Sequence, residues 1–172
     1  VEAYDPQLGA WAPVASMSAK RCGHASVVLG GKIYAMGGCG DDVVPIDTVE
    51  VYDPEADSWQ QVASMPQGRY WHAAAAMSGK IYVTGGVAQE TSDSVYMAMY
   101  DPQADAWTQL ANMSIARQNH ASAAVGGKLY IFGGHGTGRE LSTAEVYDPA
   151  SNSWAQGLSL TSPRYSLVAV AC

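Results

Sequence analysis

RYWHAAAAMSGKIYVTGGVAQETSDSVYMAMYDPQADAW, residues 69–107, is the stretch that decides the fold, because the chain writes it out repeatedly. Its landmarks are Arg69, His72, an alanine run, Gly79-Lys80-Ile81-Tyr82, the pair Gly85-Gly86, a variable loop, Tyr100-Asp101-Pro102 and Trp107. The Tyr-Asp-Pro tripeptide recurs at Tyr4-Asp5-Pro6, Tyr52-Asp53-Pro54 and Tyr147-Asp148-Pro149, so that successive Asp residues stand 48, 48 and 47 positions apart. Trp11, Trp59, Trp107 and Trp154 each follow their Asp by six positions, and Arg21, Arg69, Arg117 and Arg164 keep the same period. Repeats of this length belong to solenoids, propellers and arrays.

Within each unit, short apolar or alternating runs alternate with Gly, Pro and Asp punctuation, and helix signals are nearly absent, which is an all-β pattern. Four strands per unit are expected; in the second unit the spacing predicts them over 72–77, 80–84, 95–100 and 106–110. The first strands are rich in small residues, as in Ala73-Ala74-Ala75-Ala76. Alanine is a poor strand former, so its repeated use implies crowding, as near an axis where units converge. Gly30-Gly31, Ser78-Gly79 and Gly126-Gly127 stand where two-residue hairpins are needed. Pro6, Pro54, Pro102 and Pro149 begin turns just past the third strands. The recurring Tyr and Trp are the large residues of each unit, and packing between units is their expected role, since one such unit cannot bury its own face.

The 172-residue length suits one domain, and 48% hydrophobic residues allow a sizeable core. A formal charge of −7, with no long single-sign run, argues against a nucleic-acid or acidic membrane partner. No apolar run reaches membrane-spanning length. The three cysteines, Cys22, Cys39 and Cys172, show no metal-ligand spacing and fit reduced, intracellular thiols; a cytoplasmic location is expected.

A Gly pair, Tyr and Trp at fixed distance and then Met-x-x-x-Arg together resemble the kelch repeat, over essentially the whole chain. The resemblance implies a β-propeller of four-stranded antiparallel blades with the first strand innermost. Full blades are then expected at about 24–60, 72–108 and 120–157, strands three and four of an earlier blade at 1–14, and the first strand of a later blade at 165–171. This is about four blades' worth of sequence, which implies part of a larger propeller; the alternatives are an unusually small closed ring and self-association of two chains that completes one ring.

The ligand face implied by the resemblance is built from loops 39–48, 87–94 and 135–143 together with loops 17–23, 65–71, 113–119 and 160–166. These are also the segments that differ most between units, and scaffold positions must agree where ligand positions are free to differ. Just after each Arg the residues diverge, giving Tyr70-Trp71, Gln118-Asn119, Tyr165-Ser166 and Cys22-Gly23. In similar kelch propellers such positions contact bound peptides, and Tyr70 and Trp71 offer the most contact area at low entropic cost; packing on a neighbouring blade is the competing role. Arg21, Arg69, Arg117 and Arg164 either form a basic rim for a carboxylate-rich peptide or bind loop carbonyls and the third-strand acids Glu2, Glu50 and Glu145. Ala98 stands where the second full unit would carry that Glu, which leaves one Arg freer. His135, Gln89 and Asp41 are further contact candidates in the variable loops. His24, His72 and His120 keep the scaffold period, so they are not expected to ligate metal. Cys22 and Cys39 are expected to be inert thiols of one face.

The expected function is a protein-interaction module that binds a partner protein or peptide, without catalysis, cofactor or metal. The BTB-kelch proteins, substrate adaptors of cullin-type ubiquitin ligases, are the nearest group in style, and that role comes by analogy. The alternatives are part of a kelch-propeller enzyme of metal-oxidase or sugar-isomerase type, and an actin-binding scaffold.

Overall fold

The computed structural model describes residues 1–88 and 93–171. Three four-stranded antiparallel sheets form the framework. The first comprises Ala25–Leu29, Lys32–Met36, Val49–Asp53 and Ser58–Val62. The second comprises Ala73–Met77, Lys80–Thr84, Met97–Asp101 and Ala106–Gln109. The third comprises Ala121–Val125, Lys128–Phe132, Ala144–Asp148 and Ser153–Gln156. A two-stranded hairpin, Glu2–Asp5 with Ala10–Pro13, precedes them. Each sheet is a propeller blade.

Register repeats from blade to blade. Ala25 pairs with Met36, Ala73 with Thr84 and Ala121 with Phe132. The connecting turns need two consecutive positive φ angles, and Gly30-Gly31, Ser78-Gly79 and Gly126-Gly127 adopt them. On the outer strands Tyr52 opposes Trp59, Tyr100 opposes Trp107 and Tyr147 opposes Trp154.

The core lies between blades rather than inside one. Tyr34, Met36, Val49 and Val51 of the first blade pack against Ile81, Val83 and Tyr100 of the second. Ala75, Met77, Tyr82 and Met97 of the second pack against Leu129 and Tyr147 of the third. The small first strands line a central cavity of about 470 Å³, bounded by Val27, Ala75, Ala123 and Val170 among others. Small side chains there let three strands converge.

A polar clasp fastens each blade to the one before it. Asp57, Asp105 and Asn152 sit at the turn between third and fourth strands with φ near +45°. In each clasp one Oδ1 accepts from the Tyr hydroxyl of its own blade and from a backbone amide of the preceding blade. For Asp105 these donors are Tyr100, at 2.7 Å, and Ala63, at 2.8 Å. Trp107 Nε1 then donates to the Ala63 carbonyl at 2.8 Å. Trp59 and Trp154 do the same to Ala15 and Ala111. Trp11 Nε1 makes no such bond among the described residues, and the side chain is 66% exposed.

Two sequence expectations need correction. The third strand of the second blade begins at Met97 rather than Val95, because the Val95 carbonyl is taken by the Met113 amide of the next blade. Residues 165–171 form no strand; among the described residues no strand pairs with them.

Candidate functional site

At the end of each blade where the second strand stops, a Gly pair turns the chain. Gly37 and Gly38 have φ of 60° and 95°, and a Cβ on Gly37 would stand 2.6 Å from the Arg69 carbonyl oxygen of the next blade. That carbonyl accepts from the Gly38 amide at 2.8 Å. Gly86 binds the Arg117 carbonyl and Gly134 the Arg164 carbonyl in the same way. The glycines therefore let the backbone of each Arg dock on the preceding blade.

The Arg side chains turn inward. Arg21 Nη1 donates to the carbonyls of Gly37 and Thr48, and its Nη2 donates to Thr48 Oγ1 and to Glu50 Oε1, the last at 2.7 Å. Arg117 repeats the pattern with Gly133, Thr143 and Glu145. The acids are held from the other side by Ser18 N–H on Glu50 and Ser114 N–H on Glu145. Burial pushes the Glu50 carboxyl up, but the Arg21 hydrogen bond and the Ser18 amide outweigh it and hold Glu50 below its ordinary value.

The second blade departs from this pattern at three coupled positions. Ala98 replaces the acid, Pro66 replaces the Ser that would donate to it, and Tyr96 replaces the Thr. Arg69 Nη1 still donates to the Gly85 carbonyl at 2.7 Å, and the Tyr96 ring lies 4.1 Å from the guanidinium carbon. Among the described residues no carboxylate pairs with Arg69, and burial pushes its guanidinium down to about 10.

A basic rim is thus not what Arg21, Arg69 and Arg117 form. Their side chains are wholly buried and spent on carbonyls, acids or a ring. Arg164 is exposed, and among the described residues its guanidinium donates only to Ser162.

The residues after each Arg split into two layers. The first of each pair bridges, antiparallel, to the residue after the Gly pair: Cys22 with Cys39, Tyr70 with Val87, and Gln118 with His135. These bridges bring the variable loops of each blade together at one end. The second of each pair circles the axis. Trp71 N–H donates to the Gly23 carbonyl, Asn119 N–H to Trp71 and Ser166 N–H to Asn119, each at 2.8 Å. All four have φ between 50° and 61°.

Below this ring is a cavity of about 190 Å³ lined by Gly23, Trp71, Asn119, Ser166 and the three His side chains His24, His72 and His120. His72 and His120 are buried, and desolvation pushes each down to about 3, so both stay neutral. His120 Nε2 shares a 2.8 Å hydrogen bond with Thr84.

Trp71 is 44% exposed and meets Tyr70 edge-on, their ring centroids 4.8 Å apart; Tyr165 is 51% exposed. Trp71, Asn119 and Ser166 therefore converge at the axis, with Tyr70 supporting Trp71. His135 is half-buried beside Gln118, whose amide donates to Asp93 Oδ1 at 2.8 Å. Asp93 also accepts from the Thr137 amide, linking loops of two blades. Sequence reading missed Asp93; its place in a variable loop was the available signal. Asp41 is exposed and pairs with Lys20 at 3.2 Å. Gln89 lies outside the described residues.

Residues 16–171 match the family model of the KLHDC2/KLHL20/DRC7 Kelch-repeats domain. The chain belongs to the kelch-repeat family. It is 42% identical over 40 residues to human Kelch-like protein 33, a match spanning 23% of this chain and 8% of that protein. The solved structure of YjhT superposes with a TM-score of 0.78 at 20% identity, covering 91% of this chain and 57% of the other. The chain thus spans about half the length of that structure and a small part of the human relative. No helix among the described residues is long and apolar enough to cross a membrane.

Proposed function

We propose that this chain is a protein-binding kelch module whose partner, a protein or peptide, docks on the end of the blades that carries Trp71. The observation that supports this most is the layering just described. Backbone hydrogen bonds and glycines identical between blades gather the segments that differ between blades at one end, with Trp71 and Tyr165 exposed there. Aromatic anchors beside amides are the make-up of binding hot spots, and no acid–base pair is needed for that task. With Arg21, Arg69 and Arg117 buried, recognition rests on aromatic contact and hydrogen bonding rather than on a cationic rim. Asn119, Ser166, Tyr165, Gln118 and His135 complete the contact set, with Asp41 and Arg164 at its edge.

The role of substrate holder in a cullin-type ubiquitin ligase adaptor is a finer reading that rests on the BTB-kelch resemblance. A pull-down compares the wild-type chain with Tyr70→Ala/Trp71→Ala, both verified as folded by circular dichroism. Recovery of the partner is expected to fall at least about tenfold, as loss of a two-aromatic hot spot implies. Equal recovery of every partner would remove these residues from the interface.

A further inference from the structure

Cys22 and Cys39 occupy one of the three inter-loop bridges at the loop end. Each donates its amide to the other's carbonyl at 2.9 Å, so they form a hydrogen-bonded antiparallel pair. Such a pair places its Cα atoms about 5.5 Å apart, inside the span of about 4.4–6.8 Å that a disulfide tolerates. The two Sγ atoms already touch at 2.7 Å, and both thiols are free. Cys22 is exposed and Cys39 is buried beneath it. The equivalent bridges carry Tyr70 with Val87 and Gln118 with His135, so the blade does not require cysteine there. Both were expected as inert thiols of one face; the structure brings their sulfur atoms into contact.

We propose that Cys22 and Cys39 are a dithiol–disulfide site, oxidised by a low-molecular-weight disulfide that reaches Cys22 from solvent. The Cys22 thiolate attacks one sulfur of the small disulfide, whose S–S bond breaks and releases one thiol. Cys39 then gives its proton to solvent and attacks the Cys22 sulfur, displacing the second thiol. Two protein thiols are oxidised and one small disulfide is reduced to two thiols, so electrons and protons balance. The hydrogen bond with Cys22, together with burial, pushes the Cys39 thiol up to about 11. The product closes the loop between Cys22 and Cys39 and fixes that corner of the loop end. This site does not depend on the proposed partner.

The test incubates the full folded chain with glutathione disulfide, blocks remaining thiols by alkylation and maps peptides without reduction. The expected result is one Cys22–Cys39 linked peptide, lighter by two hydrogens, that dithiothreitol reverses and that Cys172→Ser leaves unchanged. Cys39→Ser is expected to stop at a glutathione adduct on Cys22. If that variant does not fold, the wild-type map decides alone. Alkylation of both Cys22 and Cys39 in the wild type, a lasting adduct on Cys22, or linkage of either to Cys172 would overturn the proposal.

Discussion

Glu145→Ala is expected to destabilise the fold by about 3–5 kcal/mol, measured as a lower midpoint in urea unfolding with an unchanged slope. The cost does not come from the net strength of the ion pair, which burial largely cancels. It comes from stranding the Arg117 guanidinium, wholly buried, with a hydrogen-bond partner removed. Ser114 loses the acceptor for both its amide and its hydroxyl in the same step. The second blade shows what the fold needs in order to dispense with the acid. There Ala98 comes together with Pro66, which has no amide to satisfy, and with Tyr96 over the guanidinium. A single Glu→Ala change supplies neither compensation. A cost under about 1 kcal/mol would mean that water or loop movement satisfies Arg117 and that the buried node is not structural.

Glu50 gives the equivalent node of the first blade, with Arg21, a pH signature. Its folded carboxyl titrates below its ordinary 4.5, so its contribution is fully present above that value and is lost as pH falls through the folded value. Acid unfolding is therefore expected to begin below about pH 4.5, and Glu50→Gln is expected to flatten the stability profile in that range.

Trp107→Ala is expected to cost about 3 kcal/mol, while Trp11→Ala costs less than about 1 kcal/mol, although both are the same letter of the repeat. Trp107 packs in the cluster between the first two blades, and its Nε1 holds the Ala63 carbonyl. Trp11 keeps its contact with Tyr4, at 5.3 Å between ring centroids, but 66% of it faces solvent. Thermal unfolding of the two variants side by side checks this. Equal costs would contradict the view that these tryptophans act between blades.

Much of this was legible in the letters because a repeat states its own scaffold. Tyr100, Trp107, Gly85 and Gly86 recur and make the same contact in the three full blades, whereas Arg117 and Arg21 pair with an acid that Arg69 lacks. Even the missing acid at Ala98 was visible as a break in register. Binding of the repeated Arg to loop carbonyls and third-strand acids was one of the two readings the residues allowed, and Arg21 and Arg117 take it. Two features were not legible. The second residue after each Arg looked like one more variable contact. Its backbone instead closes the axial ring at positive φ, a conformation Trp71 adopts without the glycine that would announce it. The Cys22–Cys39 contact needed the pairing of two loops seventeen positions apart, which no local pattern specifies.

Hydroxyl-radical footprinting of the chain with and without its captured partner tests the division between scaffold and recognition most directly. Protection is predicted at Tyr70, Trp71, His135 and Tyr165, with no change at Glu55 and Gln103 in the turns between third and fourth strands. Protection confined to those turns, with Trp71 as reactive as in the free chain, would contradict it.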